Sequence, residues 1–320
     1  MNHFGLKTVG RMLLLVAVTC CTVILLIDYS PIDPVNEFLG GNLFSVSAVQ
    51  KANIAQHLGT TMTPWEQLKE IVSQFLNGNL GYSSYYQQPI SDVLREKVSY
   101  SAWLLGTSWL ITFVLGYALG LFSGISADAW WNKGLQQFAW LLSYLPTFWV
   151  GIMLIVLFSL KLGWFPVGGG ASLNGSISTG YDHFIHLVLP VATLVLSGIG
   201  PLILHTREKV IELMSNEYVR YAQIHHLPLY TLIKMYIFKS SILPVVILHF
   251  AAMAEMLGCS ALIESVFNYP GLGSAFVNSG LYQDGALLIV LSIASVVLIA
   301  LSNMLANVIQ QYAQPSAFRS

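Results

Sequence analysis

Apolar residues fall along this chain in long blocks rather than at a short alternating period. The blocks run over about 12–29, 102–125, 138–160, 186–204, 242–263 and 286–308. Each is close to the roughly 20 residues that an α-helix needs to cross a bilayer. The pattern therefore predicts an all-α integral membrane protein with six transmembrane helices. Prolines lie inside three of the blocks: Pro146 in the third, Pro190 and Pro201 in the fourth, Pro244 at the start of the fifth. Neighbouring helices and side chains re-satisfy the carbonyl that a proline leaves without a donor, so the third block is expected to be one kinked span through Pro146.

The polar segments between the blocks are also organised. After the first block comes a stretch of about seventy residues that reads as a helical insertion. Ser45 or Ser47 caps a helix through Val49-Gln50-Lys51-Ala52 that stops at Gly59. A second helix has Thr63 as N-cap, Pro64 at its first position and Glu66 closing a capping box. Trp65, Leu68, Ile71, Val72, Phe75 and Leu76 form its apolar stripe, and Gly78 ends it. The segments 126–137, 163–184 and 264–285 read as loops. The segment from His205 to Pro244 is different: a polar, helix-prone island carrying Arg207, Lys209, Arg220, Lys234 and Lys239.

Composition agrees with this reading. The 320 residues are 55% hydrophobic and 9% charged, against about 25% charged in soluble domains. A net charge of −1 argues against nucleic acid as a partner. Cys20, Cys21 and Cys259 sit in apolar runs, without disulfide or metal spacing. Lys7 and Arg11 ahead of the first apolar block resemble a signal peptide, but Asp28-Tyr29-Ser30-Pro31 is no small-residue cleavage site, so the block is expected to remain as a membrane helix. Placing the N-terminus inside puts nine Lys and Arg on the inner side and five on the outer, four of them in the long insertion that the positive-inside rule discounts. Both termini and the 205–241 loop are then cytoplasmic, and the insertion is external. The expected organisation is 1–29 for the N-terminus and first helix, 30–101 for the external helical region, 102–308 for a five-helix core, and 309–320 for a cytoplasmic tail.

Enzyme chemistry is not indicated. Gly168-Gly169-Gly170 lacks the lysine and following helix of a phosphate-binding loop, and no zinc or serine-nucleophile motif is present. Asp182, His183 and His186 have a spacing compatible with a metal, but they read better as an interfacial cap and a helix-start histidine, and no metal is expected. Glu255, with His249 about two turns before it, lies near the middle of the fifth block. An ionisable group at bilayer depth costs about 2.5–3.5 kcal/mol on insertion scales and marks a candidate translocation path.

Several blocks in order resemble one family. Arg11 with Leu13–Leu15 and Ser30-Pro31-Ile32-Asp33-Pro34-Val35 come first, then Gly78-Asn79-Leu80-Gly81-Tyr82-Ser83 with Pro89-Ile90. Leu145-Pro146-Thr147-Phe148-Trp149-Val150-Gly151, Leu162-Gly163-Trp164-Phe165-Pro166-Val167 and His186-Leu187-Val188-Leu189-Pro190 follow. Glu264-Ser265-Val266-Phe267-Asn268-Tyr269-Pro270-Gly271-Leu272-Gly273 is the most specific, and Asp284 falls in a further matching segment. Together they resemble the permease subunit of binding-protein-dependent ABC importers of the dipeptide, oligopeptide and nickel type.

The resemblance implies the type I importer permease fold and a non-enzymatic transport subunit. This subunit would form half of a path for peptides or similar small solutes in the bacterial inner membrane. It implies a second permease, two cytoplasmic ATPase subunits that hold ATP and magnesium, and an external solute-binding protein; the chain itself would bind no cofactor. Within the island it implies an ATPase-coupling helix of about 217–226 that includes Glu217, Tyr218, Val219, Arg220, Ala222, His225 and His226. Ser215 or Asn216 would cap it and Pro228 would end it; Arg207, Glu212 and Pro244 would support the loop. Glu264, Pro270, Gly271 and Gly273 would form an external signature turn. His226 stands where the family has a glycine. A nickel or metal-chelate importer of the same family, an exporter, and an ion-coupled secondary transporter using Glu255 are the competing readings. A membrane sensor or scaffold is disfavoured by the lack of an output domain.

Overall fold

The computed structural model describes residues 2–30, 77–170 and 180–313, together with positions 35, 51, 65, 66, 69 and 73–75. The expected helix ending at Gly59 lies outside the described residues, as does much of the one after it. Where that second helix is described, it ends as the sequence suggests. Gly78 takes a left-handed φ of 74°, and its N–H donates to the Phe75 carbonyl at 3.1 Å.

Among the described residues the elements are α1 (Asn2–Asp28), β1 (Tyr82–Ser83), β2 (Gln88–Pro89), α2 (Ile90–Ile125), α3 (Trp130–Tyr144), α4 (Thr147–Leu154, continued as a π-helical turn Ile155–Lys161) and α5 (Gly180–Ser215). They continue with α6 (Glu217–Ile224), α7 (Leu229–Leu232, continued as a π-helical turn Ile233–Phe238), α8 (Lys239–Ala251), α9 (Met253–Val266), α10 (Leu272–Leu281) and α11 (Gly285–Ala313). Five of the helical stretches are long and apolar enough to cross a membrane, and α3 with α4 makes a sixth when counted as one bent span.

Four expectations are corrected. The third span is not a repaired kink: α3 and α4 meet at 106°. Leu145 and Pro146 both take extended backbone, ψ 130°, a conformation that the proline ring favours at Leu145, the residue before it. Pro190, Pro201 and Pro244 stay inside helices. The fifth span begins earlier than expected, at Leu229, and breaks at Ala252. The segment 264–285 contains α10, and the segment 126–137 already contains the start of α3. Finally, α5 runs on through Ser215, so the first part of the polar island is the end of a membrane helix.

The chain forms two compact units. One comprises 1–101 and 270–300, the other 102–269 and 301–320. In the first, Ile90 and Val93 of α2 pack with Ala275 of α10 and Leu287, Val290 and Leu291 of α11. Cys20, Val23 and Ile24 of α1 close on Ile289. The β1–β2 hairpin is pinned to the start of α11 by Asp284, which is 1% exposed. Ser83 Oγ–H donates to Asp284 Oδ2 at 2.5 Å, the Tyr85 N–H to the same oxygen at 3.2 Å, and the Leu287 N–H to Oδ1 at 3.2 Å. A desolvated carboxylate is tolerable when donors surround it in this way, and here it also caps α11.

In the second unit α5 is central, with α3, α4, α8 and α9 packed against it. Gly116, Gly120 and Gly124, one turn apart on α2, approach α5 so closely that a Cβ would collide with Leu202, Thr206 and Val210 respectively. Such small-residue faces let membrane helices pack backbone to backbone. Buried Asn132 closes the end of α2: its Nδ2 donates to the carbonyls of Ser123, Ser126 and Ala127 at 3.0–3.2 Å, and Ser123 Oγ bonds its Oδ1. These are carbonyls that a helix end otherwise leaves unpaired.

Candidate coupling loop and translocation cavity

The island folds as the end of α5, the short helix α6, and the rise through α7 into α8. Asn216 occupies the N-cap position with extended backbone, φ −67° and ψ 144°, but makes no capping bond through its side chain. Ser215 Oγ–H instead donates to the Glu212 carbonyl at 2.7 Å. The helix ends at Ile224, two residues short of the expected 217–226, and Pro228 is not what ends it. His226 takes a left-handed φ of 56°. Its N–H donates to the Gln223 carbonyl at 2.9 Å, and the Leu227 N–H reaches back to the Ala222 carbonyl at 3.2 Å. This is the paired hydrogen-bond pattern of a Schellman stop, which favours glycine at the left-handed position. The position at which the resemblance leads one to expect glycine thus has the glycine conformation with a histidine in it.

The faces of α6 are distinct. Val219 and Ala222 are buried against Leu232, Met214 and Tyr236. Glu217, Tyr218, Arg220, Tyr221 and Ile224 are exposed, as are His225 and His226. Val219 and Ala222 therefore hold the helix to its own chain, while Tyr221 (65% exposed) and Ile224 (73%) form the outward apolar surface with Tyr218. The sequence reading passed over Tyr221 and Ile224. Their signal was the three-residue spacing from Tyr218 on a helix otherwise polar on that side. The His225 ring lies 4.4 Å from that of Tyr221.

Of the supporting residues, Glu212 pairs with Lys209 at 2.8 Å. The Gln136 amide, turned so that its oxygen meets the guanidinium, accepts from Arg207 Nε at 3.2 Å and Nη2 at 3.0 Å, linking α3 to α5. Pro244 sits inside α8 rather than at a loop boundary. At the signature turn α9 ends at Val266, Asn268 takes φ 46°, and Gly271 is the N-cap of α10. Glu264 is fully buried. A Cβ at Gly168 would overlap the Phe267 carbonyl, and the Gly169 N–H donates to that carbonyl at 2.8 Å. The glycine run is thus a close-packing device. His186 Nδ1–H and His183 Nδ1–H donate to the carbonyls of Gly168 (2.9 Å) and Gly170 (2.7 Å), and His186 Nε2 lies 3.8 Å from Asp182. These histidines tether the run to the start of α5. Among the described residues no group of three or more His, Cys, Asp or Glu could hold a metal ion.

Glu255 and His249 come together. Both line a cavity of about 220 Å³ in the second unit, bordered also by Trp109, Thr112, Ser197 and Cys259. The Trp109 carbonyl accepts from His249 Nε2–H at 2.9 Å, and the two rings stack at 4.6 Å. That bond fixes the tautomer and leaves Nδ1 a lone pair. Glu255 stands one turn past the break at Ala252 and has no ion-pair partner among the described residues.

Comparison with known proteins agrees with this architecture. Residues 116–319 match the family described as binding-protein-dependent transport system inner membrane component. The chain is 23% identical to an oligopeptide transport system permease protein of Bacillus subtilis, covering 84% of this chain and 85% of the relative. It is 27% identical to a putative peptide transport system permease protein of Brucella abortus, covering 89% and 88%. A glutathione transport system permease protein of Escherichia coli is 26% identical over 72% of each chain. The family match spans well over half of the chain, whose helices supply five or six apolar spans, so this multi-pass inner-membrane protein belongs to the binding-protein-dependent transport system inner membrane components, as a permease subunit.

Proposed function

We propose that this permease forms half of the translocation path of an ATP-driven importer of peptides, and that α6 is the contact through which ATP hydrolysis on partner subunits moves the membrane helices. The observation that carries the coupling role is the division of α6. One face is locked into the chain by Val219 and Ala222, and the other presents Tyr218, Tyr221 and Ile224 to solvent. A lever needs both a rigid attachment and a free contact surface. The peptide assignment rests on the oligopeptide, peptide and glutathione permeases that the chain is similar to. In this reading a second permease completes the path, two ATPase subunits hold ATP and magnesium, and an external binding protein delivers the solute. The charge distribution supports cytoplasmic termini and a cytoplasmic 205–241 loop.

The test uses membrane vesicles carrying the assembled transporter and labelled tri-alanine. Uptake should require hydrolysable ATP. Tyr221→Asp should lose the partner ATPase on purification while the permease remains in the membrane at its usual level. Ala222→Glu, by burying a charge, should lower the amount of folded permease instead. ATP-independent uptake driven by an ion gradient, or full ATPase recovery with Tyr221→Asp, would overturn the coupling role.

A further inference from the structure

The cavity beside Glu255 has a polar composition that translocation alone does not explain. Its acceptors outnumber its donors. Glu255 contributes an unpaired carboxylate and His249 the Nδ1 lone pair. Thr112 is 3% exposed, yet its hydroxyl lacks a hydrogen-bond partner, and the indole N–H of Trp109 also lacks one. Pro201 has no N–H to offer the Ser197 carbonyl four residues back, and both residues border the cavity. Thr147 Oγ–H is spent on Cys259 Sγ at 3.5 Å, so that hydroxyl too faces any solute as an acceptor. Buried polar groups left unpaired are costly and need a reason. A solute that supplies several donors and a positive charge gives one.

We propose that this cavity is a receptor site for a primary ammonium group, with Glu255 as its counter-ion. An ammonium has three N–H donors and no acceptor, which complements the Glu255 carboxylate, the His249 Nδ1 and the Thr112 hydroxyl. The free indole N–H adds one donor for a neighbouring carbonyl. A peptide amino terminus carries both groups, an ammonium with a carbonyl one carbon away; the identity of the amine as a peptide terminus rests on the proposed peptide transport.

Cys259, itself on the cavity wall, provides the reporter. In membranes carrying the full chain with Cys20→Ser and Cys21→Ser, Cys259 is modified by 2-aminoethyl methanethiosulfonate, neutral methyl methanethiosulfonate, or the anionic 2-sulfonatoethyl reagent. Rates are normalised to those of a free thiol in solution. The ammonium reagent should react about tenfold faster than the neutral one, reflecting attraction to a nearby carboxylate, and the anionic reagent slowest. Glu255→Gln should bring the ratio to near one, and Glu255→Asp should keep most of it, which separates charge from folding damage. A ratio near one in the wild type, the same ratio in Glu255→Gln, or no modification by any reagent overturns the site. Tri-alanine uptake is scored separately. Failed uptake with charge-dependent labelling overturns the peptide reading and retains the ammonium site.

Discussion

His226 is the residue at which a backbone demand and a side-chain choice conflict. It holds φ 56° to complete the two hydrogen bonds that stop α6. A residue with a Cβ in that conformation costs about 1–2 kcal/mol relative to glycine. Glycine gives back about 0.5–1 kcal/mol through its larger unfolded-state freedom. His226→Gly should therefore stabilise the stop by about 1 kcal/mol, or roughly fivefold in the local opening equilibrium. The assay is hydrogen–deuterium exchange on the purified permease, read on peptides containing the Leu227 amide, which is bonded to the Ala222 carbonyl. Exchange of that amide should slow about fivefold, with the amides of α10 as an unaffected reference. His226→Ala is the control: it removes the imidazole but keeps the Cβ, so it should give no gain. If glycine leaves exchange unchanged or faster, the left-handed strain is not the limiting cost. If alanine matches glycine, the ring and not the backbone was the source.

The other predictions concern packing and anchoring. Gly120→Ala drives a Cβ against the Thr206 side chain and the Ile203 carbonyl; overpacking of this kind costs about 1–3 kcal/mol and should lower the thermal midpoint of the detergent-solubilised chain. Gly106→Ala on the same helix meets nothing within 4 Å and should leave that midpoint unchanged or raise it slightly, since alanine is the better helix former. Asp284→Ala strips the acceptor from the Ser83 hydroxyl and the Tyr85 amide, a loss of about 2–3 kcal/mol, and should make the 82–89 hairpin sensitive to limited proteolysis while α2 remains protected.

Much of this architecture is legible in the amino-acid sequence because bilayer-spanning helices leave the coarsest signal, a run of apolar residues about 20 long. The polar island stood out for the same reason. The orientation of α6 did not, since a short helix with Tyr218, Val219, Tyr221 and Ala222 has apolar groups on both sides. Which side is inward depends on Leu232 and Tyr236 arriving from the next segment. Asp284 was matched to a family segment, but its capping and anchoring role needs Ser83, 201 residues away in the chain. The break at Pro146 had a local signal, the restriction that proline places on the residue before it. Three other prolines carry the same signal and remain in helices, so packing decided. Ala252 has no breaker beside it, and nothing in its neighbourhood of small helix-forming residues announces the interruption.

The irregular points of the second unit converge, and their convergence gives the helix breaks a common cause. Thr147 follows the bend at Pro146 and borders the cavity. Pro201, which deprives Ser197 of a helical donor, borders it on α5. Ala252 is the break before α9, and Glu255, Met256 and Cys259 follow on the wall. Backbone that departs from helix within a membrane protein is tolerated where it is packed in protein or lines a polar cavity. Regular helices would seal this space with aliphatic side chains; broken ones bring carbonyls, a carboxylate and an imidazole to its surface. The bend at Pro146, Pro201 and the Ala252 interruption together give an otherwise apolar bundle a cavity with polar residues on its wall, and in the proposed ammonium site Glu255 supplies the charge.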